Sequence, residues 1–122
     1  MPKATKTNPS LSPRIRVYLG KEIALGPGKV ALLRLVAETG SLSEAARRMK
    51  MSYMRAWLMV QVMNRSFRKP LLRTERGGAA GGGAQLTACG KQALALYDQM
   101  ERESLAVMDE PWKALQAILK KG

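Results

Sequence analysis

Two strong helix-capping residues, Ser41 and Ser52, stand eleven positions apart, and that spacing constrains the chain more than any other feature. Ser41-Leu42-Ser43-Glu44 has the S-x-x-E spacing of a capping box, which predicts that Ser41 and Glu44 satisfy orphan amides reciprocally. The helix it opens places Leu42, Ala45, Ala46 and Met49 on an inner face, with Arg47 and Arg48 outside. Only Lys50 and Met51 separate this helix from Ser52. A second helix follows, with Tyr53, Ala56, Val60, Met63 and Phe67 at steps of three and four, and Pro70 ends it. Helices joined so tightly have to cross. Ala45 and Ala46 are small where the crossing is close, and Met51 plugs the turn.

The remainder of the chain supplies partners for this pair. At 122 residues with 46% apolar content there is room for one globular domain. Residues 1–13, rich in Pro, Thr, Lys and Ser, read as a mobile tail. Residues 14–19 alternate, with Ile15, Val17 and Leu19 on one face of a short strand. Pro27 at a helix start and Gly40 at its stop frame a helix over 27–39. After Pro70, Leu71–Glu75 reads as a strand, residues 77–84 as a glycine loop, and Gln85-Leu86 as a returning strand. Thr87 then caps a long helix over 88–108. Leu94, Tyr97, Leu105 and Met108 mark one stripe of it and Leu96, Met100 and Val107 another, so it needs two partners. Pro111 restarts an amphipathic segment within 109–122, carrying Trp112, Leu115, Ile118 and Leu119. The expected class is mostly α with a small β wing: a winged helix-turn-helix domain over 14–108.

Charge is segregated along this order. From Arg47 to Arg76 nine basic residues face one acid, Glu75, whereas from Leu96 to Glu110 five acids face only Arg102. The total is 21 Lys and Arg against 9 Asp and Glu. A basic mid-chain surface suits a polyanion, although a solvated face without a partner would carry the same composition. Zero histidines and a single cysteine, Cys89, argue against a metal site and against Ser-His chemistry. Asp98 and Glu101 lie on a helix exterior with no evident pocket, so no catalytic residue, cofactor or metal is expected. Gly77–Ala84 lacks the Lys-Ser or Lys-Thr of a phosphate-cradling P-loop and leads into a strand, so it reads as a wing tip. A lone cysteine, the lack of an apolar signal segment and short apolar runs point to a cytoplasmic protein without a membrane partner.

A crossed pair of helices followed by a glycine-tipped hairpin is the arrangement in which the second helix enters the DNA major groove, about 12 Å wide. On that reading Ser52, Tyr53, Met54 and Arg55 meet base edges. Ser43, Arg47, Arg48, Lys50, Lys69, Arg73 and Arg76, with Gly77 and Gly78 in the wing, serve phosphates and set register.

Several motifs then make a family resemblance specific. Residues 24–33 (ALGPGKVALL), 39–47 (TGSLSEAAR), 51–57 (MSYMRAW), Met63-Asn64 and the glycine-rich 77–87 occur in this order. Together they resemble the N-terminal domain of the ModE-type molybdate-responsive regulators, themselves similar to the LysR-type winged helix-turn-helix. The resemblance covers about 14–105. It implies a homodimer on double-stranded DNA at a palindromic operator near molybdate-uptake genes. The dimer would be held by the long helix after the wing, through Leu94, Tyr97, Met100, Leu105 and Met108. Ser52, Tyr53 and Arg55 match the family's recognition positions, and Arg76, Gly77 and Gly78 its wing. Met54 stands where the family has lysine and suits a thymine methyl; Lys50 stands where its turn has glycine. The family's oxyanion-binding domain has no counterpart in the residues that follow the long helix, so molybdate binding is not expected. Two other readings fit the charge pattern: a sequence-tolerant nucleoid-type DNA-binding protein, and a protein-interaction module derived from a repressor domain.

Overall fold

Residues 8–76 and 82–120 are described by a computed structural model; the side chains of Arg76 and Gly82 fall outside it. Gly20, in the left-handed region at φ +64°, turns β1 (Val17–Leu19) back onto β2 (Glu22–Leu25). The hairpin is antiparallel, with Tyr18 opposite Ile23 and an irregularity between Val17 and Tyr18. β2 is absent from the expectation for this region, because its sequence EIAL has no alternation to mark it. β1 is shorter than the predicted 14–19, and Leu19 at its tip is exposed while Ile15 and Val17 pack on the core.

α1 (Pro27–Thr39) has the predicted bounds, with proline in its first turn and Gly40 at φ +72° closing it through an N–H bond to the Val36 carbonyl. α2 (Leu42–Arg48) and α3 (Tyr53–Ser66) follow. Ala45, Ala46 and Ala56 are buried, which allows the close crossing that the sequence anticipates. Leu32, Leu33 and Val36 of α1 and Val60 and Met63 of α3 complete the centre of the core. Tyr53 is not part of the inward stripe; half of its surface is exposed (50%). It is the first residue of α3, where a helical side chain leans back over the helix start.

β3 (Leu72–Arg76) and β4 (Gly82–Leu86) pair antiparallel, from Leu72 opposite Leu86 to Arg76 opposite Gly82. Gly82, Gly83 and Ala84, expected in the loop, belong to β4. Ala84 donates to the Gly40 carbonyl (3.0 Å), so this strand is tied to the end of α1. The loop tip, including Gly77 and Gly78, lies outside the described residues. With α2 and α3 crossed and a hairpin beyond them, this architecture is a winged helix-turn-helix.

α4 (Ala88–Val107) and α5 (Asp109–Ile118) complete the described elements. The chain groups into two units: Arg14–Tyr97, and the N-terminal residues with Asp98 onward. The division between these two units lies within α4, between Tyr97 and Asp98. In the first unit Thr87 accepts from the Gly90 N–H (3.0 Å) and donates its hydroxyl to the Pro70 carbonyl (2.6 Å). Its own N–H reaches the Leu71 carbonyl (3.0 Å). Helix and strand backbones come so close here that a Cβ on Gly90 would lie 2.0 Å from that carbonyl oxygen. Gly90→Ala should therefore cost upwards of about 3 kcal/mol, at the severe end for overpacking. Urea unfolding of the variant beside the parent measures it; a loss below about 1 kcal/mol would show that α4 can move aside freely.

Candidate nucleic-acid interface

Ser52 caps α3, its hydroxyl oxygen accepting from the Arg55 N–H at 3.1 Å. The hydroxyl proton remains available as a donor. Tyr53, Met54 (60% exposed) and Arg55 follow on the exposed first turn. The four predicted reading residues are thus adjacent at the open end of one helix. Trp57 and Leu58 are also exposed one turn further on, and Leu58 was not singled out from the sequence. Its exposure follows from helical phase, one turn beyond Met54.

The turn before α3 closes by backbone bonds from Lys50 N–H to the Arg47 carbonyl and from Met51 N–H to the Ala46 carbonyl, both 3.0 Å. That is a Schellman closure, and it requires a left-handed residue, which is Lys50 at φ +58°. A lysine there carries strain that glycine would not, but it leaves its ammonium exposed beside the start of α3. Lys50→Gly should raise stability by up to about 1 kcal/mol, the left-handed penalty less the entropy glycine adds to the unfolded chain. A urea midpoint that falls instead would contradict this account of the turn.

Of the predicted capping box, one half forms: Glu44 N–H donates to the Ser41 hydroxyl (3.0 Å). The other half does not. The Ser41 N–H goes to the Thr39 hydroxyl instead (3.2 Å), and the Glu44 carboxylate turns to Arg47 and Arg48. Arg48 also meets Glu38 at 3.1 Å. Ser43, Arg47 and Arg48 are exposed as expected, but both arginine charges are matched by acids on their own side of the molecule. The hydrogen bonds from Arg47 and then Arg48 hold the Glu44 carboxyl down to about 2. Since this folded value lies below the ordinary 4.5, the contribution is present above pH 4.5 and is lost as pH falls through about 2. Glu44→Gln should flatten the stability–pH curve between pH 4.5 and 2, read by urea unfolding at stepped pH. An identical slope in parent and variant would refute the assignment.

Lys69 and Arg73 are both exposed and line a groove of about 470 Å³ with Asn64, Thr74, Thr87 and Cys89 at the foot of the wing. Arg76 ends β3, and its side chain, like Gly77 and Gly78, lies outside the described residues. Three cations the sequence reading did not select, Arg14, Arg16 and Lys29, line a second groove that includes Arg55. No local signal marks them, because they reach α3 only through the fold.

The dimer positions divide differently from their expected stripe. Tyr97 is 2% exposed and its hydroxyl donates to the Ile15 carbonyl at 2.7 Å, so it belongs to the core of its own chain. Leu94 is half-buried against that core, and Leu96 is exposed. In the second unit Met100, Leu105 and Val107 are exposed, while Met108 is half-buried and lines a small groove with Leu11, Trp112 and Leu115. No helix among the described residues is long and apolar enough to cross a membrane.

The model for bacterial regulatory helix-turn-helix proteins of the lysR family matches residues 28–91, from the first turn of α1 into the first turn of α4. The chain belongs to that family. It is also similar to named relatives. Transcriptional regulator ModE of Haemophilus influenzae is 36% identical over 88 residues, covering 72% of this chain and 34% of that protein. Molybdenum-pterin-binding protein MopB of Rhodobacter capsulatus is 44% identical over 77 residues, covering 63% and 28%. The DNA-binding transcriptional dual regulator ModE of Escherichia coli K12 is 32% identical over 99 residues, covering 79% and 38%. The chain spans about a third of the length of these curated relatives.

Proposed function

We propose that this chain is a sequence-specific DNA-binding regulator, not an enzyme, acting in the cytoplasm on molybdenum-related genes. The observation that carries the reading is the exposed first turn of α3, with Ser52, Tyr53, Met54 and Arg55 projecting where a helix-turn-helix meets base edges. Lys50 beside the start of α3, and Lys69 with Arg73 at the foot of the wing, are cations that no ion pair engages among the described residues. The names of the ModE relatives support transcriptional regulation and point to molybdenum as its context.

Arg55 presents a guanidinium suited to guanine O6 and N7, and Met54 an apolar tip suited to a thymine methyl. Lys50, Lys69 and Arg73, together with Ser43, Arg47, Arg48, Arg76, Gly77 and Gly78, serve the phosphates. A homodimer on a palindromic operator completes the proposal. The exposed Leu96, Met100, Leu105 and Val107 of α4 support it as apolar groups that a second copy would cover.

Selection of bound genomic DNA by the purified protein at physiological salt should return a short palindrome, preferred about a thousandfold or more over random duplex. On that site Arg55→Ala should relax sequence preference, whereas Arg73→Ala should weaken all duplexes alike and lower the salt slope by about one. Equal effects of both changes on every sequence would overturn this division of labour. A parent protein with no preference would make it a sequence-tolerant DNA binder.

A further inference from the structure

Four cationic side chains from three separate segments converge on one groove of about 320 Å³. Arg14 and Arg16 precede or adjoin β1, Lys29 lies in the first turn of α1, and Arg55 in the first turn of α3. Among the described residues no ion pair engages any of the four. Like charges gathered around one concavity repel unless an anion joins them. Lys29 is the least exposed of the four: burial lowers its pKa, and the Glu22 carboxylate, which opposes that shift, is itself held by Arg65 at 2.6 Å.

The groove has a built wall as well as charge. α1 begins at Gly26 with no side-chain cap, and Pro27 brings no N–H of its own, so the Gly28 and Lys29 amides add donors to the same concavity. A Cβ at Gly28 would meet nothing nearer than Met59 Cε at 3.8 Å, so the backbone there is open to close approach. The arginines are not carried on a loose tail. The Tyr97 hydroxyl holds the Ile15 carbonyl between them, and the stem of Arg16 packs beside Gly26.

We propose that Arg14, Arg16 and Lys29 clamp a phosphodiester of the DNA strand bordering the major groove that α3 enters, a contact separate from those of the turn and the wing. This rests on the DNA-binding reading above. Arg55 is the shared member: it lines the clamp and stands on the reading turn, so the phosphate contact fixes how deeply α3 sits.

The test measures the affinity of the full chain for its selected duplex and for random duplex across a salt series. Arg14→Gln/Arg16→Gln keeps the packed stems and removes two charges; Arg102→Gln/Lys113→Gln removes two charges from the other unit. The first variant should bind both duplexes more weakly by a similar factor, with the salt slope reduced by about two. The second should keep the parent slope. An unchanged slope in the first variant, or an equal drop in both, overturns the clamp and leaves the DNA-binding reading standing. A parent that ignores duplex DNA overturns both. Titration with inorganic phosphate, following the Gly28 amide by NMR, separates the sources of the anion. Saturation by micromolar phosphate would assign the groove to a free oxyanion and overturn the DNA assignment; absence of saturation is expected.

Discussion

One amide side chain joins the helix that would read DNA to the hairpin beside it. Asn64 Oδ1, near the end of α3, accepts from the N–H groups of Leu71 (2.9 Å) and Leu72 (3.2 Å), and its Nδ2 donates to the Leu72 carbonyl (3.0 Å). Three backbone groups at the start of the wing are thereby satisfied by one residue, where each would otherwise cost about 1–3 kcal/mol. The remaining Leu71 carbonyl receives the Thr87 N–H, which brings α4 to the same point. The second wing strand is held independently, by Ala84 N–H on the Gly40 carbonyl. Both strands of the wing are therefore fixed to helices of the core. A reading helix and a wing can grip one duplex only if their separation is preset, and these backbone junctions preset it.

What the sequence made legible was what short-range physics decides. The bounds of α1 follow from Pro27 and Gly40, and the starts of α2, α3 and α4 follow from Ser41, Ser52 and Thr87, each a side chain bonding an amide three residues on. The exposed reading turn is a consequence of that capping. What escaped depends on residues distant in sequence. Tyr97 has the period of an interface stripe, but its hydroxyl finds Ile15, 82 positions away, and that bond places it in the core. Glu44 has the spacing of a capping box, yet two neighbouring guanidinium groups outcompete one backbone amide for its charge. The brief β2 shows no alternation because Ala24 and Leu25 are both buried where it runs into α1.

The candidate site shows the same division most clearly in its charges. Counting along the chain places the cationic surface at residues 47–76. In space that run is thinned, because Glu44 and Glu38 hold Arg47 and Arg48, and Glu22 holds Arg65 at 2.6 Å. It is also extended, because Arg14, Arg16 and Lys29 arrive from the N-terminal third to stand with Arg55. Screening at physiological salt confines a surface charge to about 8 Å, so a phosphate senses the local arrangement far more than the total of +12.

Two kinds of cation follow from this. Those with internal acidic partners, Arg47 and Arg48 on α2 and Arg65 on α3, can turn to a phosphate only by giving up bonds already made, so they yield little net attraction at close range. Those without such partners, at the turn, the wing base and the groove by α1, lose only hydration on contact. The second group stands at both ends of α3, with Lys50 and the Arg14, Arg16 and Lys29 groove by its first turn and Lys69 with Arg73 by Asn64 near its end, whereas Arg47 and Arg48 lie along the preceding helix. Attraction to a polyanion is thus concentrated at the ends of α3 rather than along α2. Glu38 and Glu44 sharpen the surface by muting charge along α2, which is a way of directing orientation through subtraction rather than through additional basic residues.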